Sequence, residues 1–129
     1  MQKESWDSVR IYYPEYSQEK LVSLLKERVK RLAAKLPLVA VVLFGSYAKG
    51  NQTVASDADV LIIYQDPKNK DDYSVSWDSF EIPILEPHVY ALSEYLTLVR
   101  ENSWLPREAT RSGILISGEL PNYVQVDRA

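Results

Sequence analysis

Two aspartates spaced two residues apart are the residues of this sequence best suited to chemistry. Asp57 and Asp59 flank Ala58 and are followed by the apolar run 60–64. Side chains at positions i and i+2 of a β-strand point to the same face, so we expect both carboxylates to project together beside an apolar interior. Two unpaired negative charges are costly there, and a divalent cation compensates for them. Mg²⁺ is usually bound by one or two carboxylates together with substrate phosphates.

A glycine–serine turn precedes these carboxylates. The apolar run 39–44, which is rich in β-branched residues and typical of a buried strand, ends abruptly at Gly45 and Ser46. Such a turn, leading into a short helix, offers backbone N–H groups to a phosphate. The turn and the two carboxylates together predict a metal-assisted site for a nucleoside triphosphate.

The spacing of these residues resembles that of a known family. A Gly-Ser pair, a ten-residue spacer and an Asp-Ala-Asp triplet are similar to the signature of the DNA polymerase β-like nucleotidyltransferases. Within that superfamily the short chain resembles the minimal nucleotidyltransferases. The alternative is a glycine turn followed by two solvent-facing aspartates on an edge strand. The matching residues are Phe44, Gly45, Ser46, Ala48, Lys49, Gly50, Ser56, Asp57 and Asp59.

The resemblance implies a fold and a reaction. The fold is α+β, a small mixed β-sheet with helices packed on one face. The reaction is Mg²⁺-dependent transfer of a nucleoside monophosphate, with ATP as the expected donor of AMP, to an acceptor hydroxyl. Two Mg²⁺ ions would be held by Asp57 and Asp59. The nucleotide-binding residues implied are Gly45, Ser46, Lys49 and Ser56.

The superfamily uses a third carboxylate from another strand, and the candidates are Asp78, Glu81, Glu86 and Glu94. We assign this role, as a third metal ligand or as the base, to Glu86. Its neighbours are apolar and strand-like, and alternation places His88 on the same side. Two prolines nearby leave the alternative that Glu86 is a surface residue at a bend. A single histidine such as His88 is more often structural than a ligand.

Apolar periodicity predicts the elements that position these residues. We expect helices at 17–36 and 93–102, one helical turn at 46–49, and strands at 38–44, 58–64 and 114–116. Segment 80–90 is expected to contain a third strand that Pro83 and Pro87 interrupt. Segment 71–79 is consistent with either a short helix or a loop. The whole chain, 1–129, is expected to form a single domain with an N-terminal arm (1–16) and a loose tail (122–129).

Composition excludes several classes of protein. The net charge of −3 argues against a protein that binds long nucleic acid, since such proteins usually carry a basic surface. The sequence has no cysteine, which excludes disulfides and thiolate zinc sites. No apolar run approaches the ~20 residues of a membrane span. We therefore expect a cytoplasmic protein without a membrane partner.

The expected partners follow from the resemblance. The chain has no room for the extra domain that binds the acceptor in larger relatives, so a second copy or a separate protein is expected to complete the site. Minimal nucleotidyltransferases often pair with a HEPN-domain toxin, and some transfer AMP to a tyrosine of that toxin. The alternative function is a catalytically inactive module that binds nucleotide or protein. The intact pair Asp57 and Asp59 argues against it.

Overall fold

The computed structural model describes residues 16–121, which contain five helices and four strands. In chain order these are α1 (Gln18–Ala33), β1 (Leu38–Phe44), α2 (Ser46–Lys49), β2 (Ala58–Tyr64), α3 (Asp72–Phe80), β3 (Leu85–Ala91), α4 (Leu92–Arg100), α5 (Trp104–Ser112) and β4 (Ile114–Gly118). The predicted tail and all but the last residue of the predicted arm lie outside the described residues. None of the helices described is long and apolar enough to cross a membrane.

The four strands form one mixed sheet in the order β3-β2-β1-β4. Strand β1 runs antiparallel to both of its neighbours, whereas β2 and β3 run parallel. The end of β1 therefore lies beside the beginnings of β2 and β3. In this register Phe44 pairs with Asp59, and Asp59 pairs with Glu86. The sheet thus brings the glycine–serine turn and the acidic residues to the same end.

Helices cover both faces of the sheet. On one face, α1 packs Leu21, Leu25 and Leu32 against Val41, Leu43, Val60 and Ile62. On the other, α4 and α5 pack Tyr95, Leu105 and Ala109 against Val42, Leu61 and Ile63. The predicted α+β class with a mixed sheet is confirmed, but the expectation that the helices pack on one face is wrong. The central strands are apolar at nearly every position. Because successive side chains point to opposite faces, both faces of the sheet are apolar and must be buried by helices.

Helix α1 begins where predicted. The Ser17 hydroxyl accepts the backbone N–H of Lys20 at 3.0 Å, which caps the helix. From α1, the Arg28 guanidinium donates to the carbonyl oxygens of Phe80 and Glu81, at 2.6 and 2.9 Å. These carbonyls end α3 and would otherwise lack intrahelical partners. Arg28 of α1 therefore stabilises the end of a neighbouring helix.

The third strand begins later than predicted. Residues 72–79 belong to α3, which is the helical alternative; Asp71 is the cap residue before the helix, and Phe80 ends it. A turn follows, closed by the Leu85 N–H donating to the Ile82 carbonyl at 2.9 Å. Pro87 lies inside β3, which is tolerated because β3 is an edge strand of this sheet. Helix α5 was not predicted from the sequence.

Candidate active site

Gly45 links β1 to α2 in a conformation that other residues rarely adopt. Its φ and ψ angles are 81° and −154°, a region open almost only to glycine. A Cβ atom at this position would stand 2.6 Å from the Oδ2 atom of Asp59. The carboxylate of Asp59 therefore lies directly against the backbone of the glycine–serine turn, and both the backbone angle and the space require glycine here.

Ser46 begins the single turn of α2 and is half-buried. The turn closes at Gly50, which adopts the left-handed conformation with φ 77°. Helix α1 holds this turn from outside, because the Gln18 amide donates to the carbonyl oxygens of Tyr47 and Ala48 at 2.9 and 3.0 Å. Gln18 was not singled out in the sequence, since its contacts join segments about thirty residues apart.

The two aspartates sit at the start of β2. The buried residue between them, Ala58, donates its N–H to the Ile84 carbonyl at 2.7 Å and fixes this segment against the start of β3. Asp59 shares its sheet face with Leu61 and Ile63, the face covered by α4 and α5. Asp57 lies one residue before the strand and is exposed. Both aspartates are accessible from the end of the sheet that holds the glycine–serine turn.

Of the four candidate third carboxylates, the structure brings Glu86 beside Asp59. The two residues pair in the parallel β2–β3 register, and residues paired in this way point to the same face. Glu81 instead forms an ion pair with Arg31 of α1, at 3.2 Å on the opposite face. Glu94 accepts the Ala91 N–H at the far end of β3, and Asp78 is exposed on α3.

Lys49 and Ser56 contact other residues of the chain in this structure. The ammonium of Lys49 lies 2.9 Å from a carboxylate oxygen of Glu108 on α5. The hydrogen bond from Lys49, with Ser112 contributing, lowers the pKa of Glu108. The Ser56 hydroxyl accepts the backbone N–H of Thr53 at 2.8 Å and shapes the loop before Asp57. A role of Lys49 and Ser56 in nucleotide binding remains a prediction.

Aromatic residues line the same end of the sheet. The Phe44 ring packs edge-on against His88, with ring centroids 5.1 Å apart, and lies 6.2 Å from the Trp104 ring. The His88 Nε2 atom lies 3.1 Å from Asp59 Oδ1. Trp104 is 60% exposed. The sequence contained one indication of these contacts, because strand alternation places His88 on the same side as Glu86. It contained none for Trp104, which lies on a helix that was not predicted.

The donor chemistry of this end of the sheet fits a hard divalent cation. Within residues 16–121, no three Asp, Glu, His or Cys side chains are close enough together to hold a metal by themselves. Mg²⁺, however, needs only one or two carboxylates when phosphate oxygens and water complete its shell. Asp57 and Asp59 supply such a pair, and Asp59 Oδ2 already faces the turn where phosphates would lie.

Comparison with known proteins decides the family. A sequence model of the nucleotidyltransferase domain matches residues 22–112 of this chain, well over half of its length. The chain belongs to the nucleotidyltransferase domain family. The predicted superfamily is therefore confirmed, and the reaction class of the family is the predicted one. The matched region includes every site residue predicted in this nucleotidyltransferase domain, from Gly45 to Glu86.

Individual relatives agree with this membership. A candidate protein adenylyltransferase of Methanocaldococcus jannaschii is 41% identical over 44 residues, which are 34% of this chain and 45% of that protein. The match thus spans less than half the length of this curated relative. A crystal structure of a candidate nucleotidyltransferase from Sulfolobus solfataricus is 27% identical, with a TM-score of 0.52 over 77% of this chain and 81% of that one.

A third relative shares the fold alone. It is a crystal structure of a toxin–antitoxin with AMP-PNP, 20% identical, with a TM-score of 0.53 over 80% of this chain and 77% of that one.

Proposed function

We propose that this nucleotidyltransferase transfers AMP from ATP to a hydroxyl group of a partner protein, with Mg²⁺ as the metal. The observation that carries the proposal is the contact between the Asp59 carboxylate and the Gly45 backbone, which joins a metal ligand to a phosphate-binding turn. The choice of AMP as the transferred group draws on the M. jannaschii relative, described as a candidate protein adenylyltransferase. The AMP-PNP of the toxin–antitoxin structure is consistent with an adenine nucleotide.

Each residue then has a defined task. Asp57 and Asp59 hold the metal, and the backbone N–H groups and hydroxyl of the Gly45–Ser46 turn bind the terminal phosphates. When bound, Mg²⁺ neutralises charge on the phosphate oxygens. The Glu86 carboxylate accepts the proton of the acceptor hydroxyl, whose oxygen forms a bond to the α-phosphorus while the bond to pyrophosphate breaks. Proximity of the two reactants contributes much of the rate, because their entropy is lost on binding.

We propose that the acceptor hydroxyl lies on a HEPN-domain toxin, or otherwise on a second copy of this chain. Support comes from the toxin–antitoxin relative with the same fold. The exposure of Asp57 and Glu86 leaves the end of the sheet open to a second protein. Incubating the protein with α-labelled ATP, Mg²⁺ and the candidate toxin, followed by gel separation, identifies which chain receives the label. Label on neither chain would contradict protein modification.

The second candidate function is a module that binds nucleotide without catalysis. One observation favours it: the Lys49 ammonium is paired with Glu108 rather than free to meet a phosphate. The two functions differ in one measurement. An inactive module binds Mg²⁺·ATP but never releases pyrophosphate, whatever acceptor is offered.

The metal role of the aspartates is tested by isothermal titration of Mg²⁺·ATP. Asp57→Asn and Asp59→Asn should each weaken Mg²⁺-dependent binding by about tenfold or more, since a hydrogen-bonding amide replaces a charged ligand. In metal-free buffer both variants should be as stable as wild type or more stable, because repulsion between carboxylates is relieved. Asp78→Asn, an exposed aspartate on α3, is the matched control. Unchanged affinity and stoichiometry in the first two variants would contradict the proposed function.

A further inference from the structure

The two oxygens of the Asp59 carboxylate have different neighbours. Oδ1 lies 3.1 Å from Nε2 of His88. Oδ2 lies against Gly45, at the position where a Cβ atom would collide with it. The terminal torsion of an aspartate is broad when nothing restrains it. The contact with His88 therefore fixes the plane of the carboxylate, so that one oxygen is directed at the glycine–serine turn.

The His88 ring is itself held in place. His88 pairs with Leu61 in the β2–β3 register, one diagonal step from Asp59 on the same face, and a long side chain reaches such a diagonal neighbour. Its ring packs edge-on against Phe44, at 5.1 Å between centroids and 60° between planes. Phe44 of β1 pairs in turn with Asp59 of β2. Three adjacent strands thus determine where Nε2 lies relative to the carboxylate.

We infer that His88 is a positioning residue for the metal site: its Nε2–H donates to Asp59 and leaves the other carboxylate oxygen free to bind a divalent cation at the glycine–serine turn. The inference rests on the proposed function. Partners that orient a metal ligand typically change metal affinity by 10- to 100-fold when they are replaced. An ionised carboxylate has no proton to give, so a hydrogen bond between these groups requires the proton on Nε2.

The hydrogen bond is tested first in metal-free protein. His88 is the single histidine of the chain, so a long-range ¹H–¹⁵N spectrum contains one imidazole and reports which ring nitrogen carries the proton. At a pH where the ring is neutral, we expect the tautomer protonated at Nε2. The tautomer protonated at Nδ1 would leave Nε2 without a proton to donate and would overturn the inference.

The metal role is tested by two variants with matched size. His88→Leu keeps apolar bulk against Phe44 but has no donor, whereas His88→Gln restores an N–H at similar reach. Mn²⁺ titrations with a non-hydrolysable ATP analogue present, followed by electron paramagnetic resonance, should show a dissociation constant about 10- to 100-fold higher for His88→Leu. His88→Gln should recover most of the affinity. Thermal unfolding in metal-free buffer records any loss of packing separately.

The possible results of the Mn²⁺ titrations distinguish the positioning role of His88, its role as a hydrogen-bond donor and the proposed function. Equal Mn²⁺ affinity in wild type and His88→Leu overturns the positioning role while leaving the proposed function intact. Equal weakening in both variants assigns the effect to packing and overturns the donor role. A wild-type protein that binds no Mn²⁺ in the presence of the ATP analogue overturns the proposed function itself, and with it the metal role of His88.

Discussion

Replacing Gly45 with alanine should disturb the candidate active site through two separable effects. The first is backbone strain, since φ is 81° and ψ is −154°, and a residue forced into such a region costs about 1–3 kcal/mol. The second is collision, since the new Cβ would stand 2.6 Å from Asp59 Oδ2, nearer than real Cβ contacts come. The free energy of unfolding should therefore fall by more than the strain alone, and Mg²⁺·ATP binding should be lost with the displaced carboxylate.

Gly50→Ala is the matched control. Gly50 also has a positive φ, 77°, but the atom nearest to an added Cβ there, Gln18 Nε2, would be 3.9 Å away. Only the left-handed backbone is then penalised, at about 1–2 kcal/mol. Gly50 lies at the other end of the same helical turn and does not contact Asp59. Gly50→Ala should therefore retain most of its affinity for Mg²⁺·ATP.

A double-mutant cycle isolates the collision. Asp59→Ala removes the carboxylate oxygen that meets the new Cβ, so Gly45→Ala should cost less in that background. Urea denaturation of the four proteins gives the coupling energy, which we expect at about 0.5–3 kcal/mol for groups in direct contact. Additive effects, within roughly 0.5 kcal/mol, would show that Asp59 does not press on the turn and would refute the geometry on which the proposed site rests.

Three further predictions test neighbouring groups. Glu86→Gln should slow AMP transfer by about 10²-fold, which is the contribution expected of a positioned general base, and should retain its affinity for ATP. In single-turnover kinetics the control Glu81→Gln should be as fast as wild type. Glu108→Gln frees the Lys49 ammonium, so calorimetry should find tighter Mg²⁺·ATP binding there and weaker binding in Lys49→Ala; equal affinities would contradict a phosphate role for Lys49. Burial raises the pKa of Tyr95 to about 12, so between pH 10 and 12 the folded state keeps a proton that the unfolded chain loses. The free energy of unfolding should fall there by up to about 1.4 kcal/mol per pH unit, and urea titrations should show a shallower decline for Tyr95→Phe.

The segment from β1 to β2 was predicted correctly because its structure depends on neighbouring residues in the sequence. The bounds of β1, α2 and β2 agree with the prediction, because a β-branched run, a glycine–serine break and a polar loop are all read from adjacent residues. The third strand was extended too far, since Ile82 and Ile84 look like strand residues. In the structure the Leu85 N–H closes a turn onto Ile82 instead.

Helix α5 was missed because its local signals conflict. Pro106 lies in its first turn, where a missing N–H is tolerated since that position lacks an intrahelical acceptor. In a sequence scan the same proline argues against a helix. Its buried residues, Leu105, Pro106 and Ala109, make a short apolar stripe. Because α5 was not predicted, the positions of Trp104 and Glu108, which lie on it, were not predicted either.

The relations within the site depend on register. Glu86 was selected from its local sequence, but its place beside Asp59 and the reach of His88 arise from the pairing of β2 with β3. Helix α3 separates these strands in the chain, and a shift of one residue would have turned Glu86 and His88 to the other face. Local patterns predict which residues belong to a strand, not which residue of another strand they will meet.

The position of β4 has a consequence for biosynthesis. β1 lies inside the sheet, and one of its two neighbours is the last strand described, with Leu43 paired to Ile114. During translation, β1 and β2 leave the ribosome long before β4, so one side of β1 keeps unpaired N–H and C=O groups that can pair with another chain. Pairings so distant in sequence also form slowly. Nascent chains arrested before Gly113 should therefore be the species most dependent on chaperones.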